Sequence, residues 1–91
     1  MEMHVRYAIT VNKSYPIANV IGKFAGTNSQ KATIREYLQA ALIVIDKVEQ
    51  YNGILLENPR RPENGEKCVY FSVGFYSFEE LAQFLNSMNY L

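Results

Sequence analysis

The chain has 91 residues, 48% hydrophobic and 20% charged, which is the usage of one small globular domain and excludes fibrous, disordered and membrane-spanning classes. Its formal net charge is zero, which removes the broad attraction that general nucleic-acid binding relies on, so no nucleic-acid partner is expected. Cys68 is the lone cysteine and His4 the lone histidine, so no internal disulfide forms and neither a metal site nor a cofactor is expected.

"HVRYAITVN", residues 4 to 12, alternates Val5, Tyr7, Ile9 and Val11 against His4, Arg6, Ala8 and Thr10, the two-residue period of a half-buried strand. "KSYP" supplies turn chemistry, and "IANVIGKFA" reads as a second strand in which Gly22 marks a bulge or a close approach; a short helical turn is the competing reading. From about Gln30 to Tyr51 the period changes. Ile34, Leu38, Ala41, Ile45 and Val48 recur at four-three spacing, with Ser29 or Asn28 as the cap and Asn52-Gly53 as the stop, glycine taking the left-handed conformation. The apolar arc of this helix, from Ala40 and Tyr51 round to Leu42, is wider than one small sheet face needs, and Ile43 falls on the polar side.

"ILLEN" and "CVYFSVGFY" read as two further strands. In the second, Val69, Phe71, Val73 and Phe75 form the core face and Tyr70, Ser72, Gly74 and Tyr76 the outer one, where a charge at Ser72 is expected to be tolerated. Pro59 and Pro62 are expected to end pairing near Asn58, leaving a projecting loop from 59 to 67 that holds the turn-favouring Asn64-Gly65. A last helix begins at "SFEE", with Ser77 and Glu80 as a capping box and Phe78, Leu81, Leu85 and Met88 as its stripe. The expectation is a single α+β domain over 1–91, in β-β-α-β-β-α order, with about four antiparallel strands and two helices on one face.

Four sets of residues compete for function. Arg60 and Arg61, stiffened by the flanking prolines, suit a phosphate or a carboxylate, although an ordinary hairpin connection explains the same residues. Tyr70 and Tyr76 on the outer face offer contact area to a partner. Lys23, Gly26, Thr27, Asn28, Ser29 and Lys31 surround a helix start as an anion cradle without P-loop spacing. Cys68 and His4 share outward parity, but spacing nominates no third residue to orient them.

Charge is unevenly spread, at +4 over residues 1–35 and −3 over 36–58, which favours an oriented encounter. The longest apolar run, "AALIVI" from Ala40, is too short to cross a bilayer, and the first residues lack a secretion signal, so a cytoplasmic protein is expected. Function is read as non-enzymatic protein binding, by an inhibitor or adaptor that forms a homodimer. Capture of a small phosphorylated ligand or nucleotide, between the 26–29 turn and the Arg60-Arg61 loop, is the alternative.

Overall fold

The computed structural model describes residues 4–25, 33–61 and 67–89. Strands β1 (His4–Val11) and β2 (Ile17–Ala25) form a hairpin and lead to helix α1 (Ile34–Gln50). Strands β3 (Ile54–Arg60) and β4 (Cys68–Gly74) follow, and helix α2 (Phe78–Ser87) comes last. The sheet is antiparallel throughout with the order β1-β2-β4-β3, which places β2 and β4 at its centre and β1 and β3 at its edges.

The core lies on one face. Ala18, Val20 and Phe24 of β2 and Val69, Phe71 and Val73 of β4 are buried against Tyr37, Ala40, Ala41, Val44 and Val48 of α1. Leu81, Phe84 and Leu85 of α2 complete it. In β4, Val69, Phe71 and Val73 hold the core face as expected, and residues 17 to 25 form a regular strand, not a helical turn, in which core-facing and outer residues alternate. Its register with β1 is unbroken from His4↔Ala25 to Val11↔Ala18, so Gly22 is a close approach and no bulge. A Cβ there would lie 3.2 Å from Cε1 of Tyr7. The Tyr7 ring thus crosses Gly22, and its hydroxyl donates to the Ala40 carbonyl of α1 at 2.7 Å. Burial pushes this phenol's pKa up, because the anion would lose its solvation.

Helix α1 departs from its expected limits. Its cap is Thr33 rather than Ser29 or Asn28: the Thr33 side chain accepts from the Glu36 amide, while the Glu36 carboxylate accepts from the Thr33 amide. The buried stripe is centred on Tyr37, Ala41, Val44 and Val48, so Leu38 and Leu42, at 47% and 54% exposure, fall outside it. In α2 the same shift puts Phe84 in the core and leaves Phe78 exposed. Ser77 caps α2 as expected, accepting from the Glu80 amide.

At the far end of α1 the amides of Asn52 and Gly53 donate to the carbonyls of Glu49 and Val48, the paired bonds of a Schellman stop. The left-handed residue is Asn52, at φ 61°, and not the expected glycine. Gly53 is needed for a different reason. A Cβ at that position would lie 2.5 Å from Cε1 of Phe75 and 2.7 Å from Cγ1 of Val48, so the chain passes between α1 and the end of β4 with no room for a side chain.

Pairing of β3 does not stop at Asn58. It resumes past Pro59, with Arg60 opposite Tyr70, after register shifts between Leu55 and Glu57 and between Glu57 and Arg60. An edge strand accommodates the proline because its missing N–H has no neighbour to serve. The shifts lay Leu56 and Glu57 over β4, which buries Ser72 and Gly74 on the face expected to be open. Ser72 lies 3.0 Å from a Glu57 oxygen, so a carboxylate at 72 would face a like charge, contrary to the tolerance expected from parity.

Gly53→Ala is predicted to cost about 1–3 kcal/mol in urea denaturation, the range for overpacking a filled site. Asn52→Gly should be neutral or mildly stabilising, since Asn52 holds a left-handed backbone that glycine adopts without a steric penalty.

Candidate functional site

The sheet face away from the helices is organised in rows by the strand register. Ile17, Gly74 and Ile54 form one row, Asn19, Ser72 and Glu57 the next, and Ile21, Tyr70 and Arg60 the third. The first row opens into a cleft of about 330 Å³ at the end of the face. Gly74 and Phe75 form its floor, and Ile17, Ile54, Leu56 and the two tyrosines Tyr15 and Tyr76 form its walls. Ile54 is 58% exposed, Tyr15 63% and Tyr76 83%.

Local chemistry holds this cleft in shape. The Asn12 side chain accepts from the amides of Ser14 and Tyr15 at 2.7 and 3.0 Å, which closes the β1–β2 turn as an Asx turn. The Phe75 amide then donates to the Pro16 carbonyl at 2.9 Å and ties that turn to the end of β4. The third side is the α1 stop, where Asn52 lines the cleft next to Gly53. Large apolar side chains therefore stay in water on a scaffold bonded on three sides.

The second row is polar and satisfied. The Ser72 hydroxyl lies 2.5 Å from the Asn19 amide oxygen and 3.0 Å from the Glu57 carboxylate, linking β2, β4 and β3. In the third row the Arg60 guanidinium stacks on Tyr70, 4.6 Å from its ring centroid, and reaches Glu57 at 3.5 Å. Tyr70 is half-buried beneath it.

Arg60 and Arg61 do not converge. Arg61 lies over the ring of Tyr37, 4.5 Å from its centroid, on the helix side of the sheet. That ring is fully buried, packs edge-on against Phe24 at 4.4 Å, and has a hydroxyl with no hydrogen-bond partner among the described residues. Neighbours on an extended chain point to opposite faces. The two arginines therefore lie on opposite sides of the sheet, each on its own tyrosine.

Tyr76 lies in the cleft, in the bend after β4, so it does not share an open strand face with Tyr70. Of the anion cradle, Lys23 is exposed on β2 opposite Cys68, while Gly26, Thr27, Asn28, Ser29 and Lys31 lie outside the described residues, as does Asn64-Gly65. Cys68 and His4 are not brought together. Cys68 is buried on β4 opposite Lys23, His4 is on β1 opposite Ala25, and β2 runs between them. No group of three or more metal-ligating side chains occurs among the described residues.

Sequence reasoning singled out Tyr76 but missed Tyr15, Ile17, Ile54 and Leu56. The available signal was "ILLEN", whose three consecutive apolar residues cannot all face the core of a strand with alternating sides. Comparison with family models, with curated proteins and with solved structures finds no match.

Arg61→Ala is predicted to lower stability by about 1 kcal/mol through the loss of its contact with Tyr37. Arg60→Ala should cost less, because its ion pair with Glu57 is more than half exposed on both sides. Chemical denaturation of the two variants side by side checks the order.

Proposed function

We propose that the chain is a non-catalytic binding module, an inhibitor or adaptor, that holds another protein by an apolar side chain seated in the cleft at the end of its open sheet face. One observation carries this reading: Ile54, Tyr15 and Tyr76 remain largely exposed around a concave apolar floor that is bonded in place. Burying a large apolar side chain there contributes about 1.5–3 kcal/mol, and a preformed cleft loses little entropy on binding. Tyrosine rings at the rim provide contact area with a polar end for hydrogen bonding.

The Arg60-Arg61 pair has a smaller place in this proposal than its sequence suggests, since each guanidinium is already stacked on a tyrosine of this chain. The phosphorylated-ligand alternative loses its closing arginines for the same reason and keeps only Lys23 among the described residues of its cradle. Self-association belongs to the proposal, in a cytoplasmic protein. Leu38, Leu42 and Ile43 leave more apolar surface on α1 than the fold uses.

Ile54→Asp tests the cleft. With the wild-type chain as bait in its native cell extract, a captured protein is purified and its affinity for both forms is measured by calorimetry. The variant is expected to bind at least about tenfold more weakly, the equivalent of about 1.4 kcal/mol, with an unchanged melting temperature because Ile54 is exposed. Equal affinities would place the partner elsewhere.

A further inference from the structure

The two edges of the sheet differ in a way that bears on self-association. β3 carries Pro59 and two register shifts, devices that blunt an edge against pairing. β1 carries none of them. It runs eight residues without proline, glycine or a bulge, and each of those residues is in register with β2.

Which backbone groups β1 turns outward follows from its hydrogen bonds. The Asn12 amide donates to the Ile17 carbonyl of β2, and antiparallel pairing alternates, so His4, Arg6, Ala8, Thr10 and Asn12 direct their peptide groups toward β2. The amide of Phe24 donates to the Lys67 carbonyl on the far side of β2, which agrees with the same alternation. Val5, Tyr7, Ile9 and Val11 therefore direct their N–H and C=O groups away from the sheet. The side chains of Val5, Tyr7 and Ile9 face the core and yet stay half-exposed, because the sheet ends there.

We infer that a second copy of this chain pairs antiparallel with β1, joining two four-stranded sheets into one of eight strands. The inference rests on the reading of the chain as self-associating and selects β1 for the contact. Leu38 and Leu42, four residues apart, share one side of α1, but Ile43 points about 100° away from Leu42, so α1 offers a patch of only two residues. Among symmetric registers only the one centred on Ala8 pairs all four outward residues, with Val5 opposite Val11 and Tyr7 opposite Ile9 of the second copy. It sets Arg6 against Thr10 and His4 against Asn12, so no like charges meet. It also continues the half-exposed apolar row of one sheet into the other. A strand of another protein would find the same outward peptide groups but no such internal match of side chains.

Ala8 then lies opposite itself across the two-fold axis, in a pair without hydrogen bonds and with Cα atoms about 4.5 Å apart. That separation is inside the range a disulfide spans. Multi-angle light scattering of the full chain over a concentration series should give a mass approaching twice 10.5 kDa. Ala8→Asp places two carboxylates against each other at the axis. Ala8 is exposed, so this variant should remain folded by circular dichroism and have the single-chain mass. Ala8→Cys should cross-link through residue 8 under mild oxidation, while Thr10→Cys, opposite Arg6, should not. A wild-type mass of one chain at every concentration would overturn the inference. So would a dimer that Ala8→Cys fails to link or that Thr10→Cys links equally well. Ile54→Asp, on the opposite edge strand, should leave the dimer intact, so this result and that for the cleft are read separately.

Discussion

The arrangement depends on one tight contact, the passage of Gly53 between the Phe75 ring and Val48. Helix α1 must stop there, turn and enter β3 within three residues, and two amides bonded to the last turn of the helix leave the chain no other exit. Phe75 meets this corner from the other side and also packs on Phe84 of α2, with ring centroids 5.2 Å apart. Both helices and the ends of β3 and β4 thus meet around one phenylalanine. A side chain at position 53 would push against all of them.

The same corner shapes the outer surface. Asn52 and Ile54 flank Gly53, and Tyr76 follows Phe75, so fixing the corner also fixes one side of the cleft. The opposite side is set by the Asx turn at Asn12 and by the bond from Phe75 to Pro16. Packing inside and presentation outside are consequences of the same bonds, which is why exposed isoleucine and tyrosine side chains can be held in a defined concave shape. The two edges of the sheet differ: β3 is protected by Pro59 and its shifts, and β1 is regular and, among the described residues, pairs with β2 alone.

Much of the fold was legible because its signals are local. Alternation in residues 4–12 and 68–76 and the capping serine at 77 report their own surroundings, and the element order and the helix-covered face follow from them. What was not legible depends on contacts between distant residues. Leu38 has the right spacing for a core stripe, but the residue that packs on Phe24 is Tyr37, and no local pattern encodes that distant contact. Thr33 and Glu36 have the spacing of a capping box and were readable in the sequence as the start of α1. Arg60 and Arg61 looked like a pair because they are adjacent, whereas extended backbone sends them to opposite faces. The cleft was the least legible feature, since it gathers residues from the first hairpin, the α1 stop and the end of β4, and the register shift between Leu55 and Glu57 decides which residues of β3 lie over Gly74 and Ser72.

A Gly53 corner held as firmly as the core would keep the cleft formed without a partner. Native-state hydrogen exchange of the Gly53 and Phe75 amides measures this directly, because both are bonded at 2.9 Å, to Val48 and to Pro16. The two amides are expected to exchange at the rate of central-strand residues such as Val20 and Phe71, by opening of the whole domain. Exchange orders of magnitude faster than those positions, through a local opening, would mean that the corner frays and the cleft is not preformed.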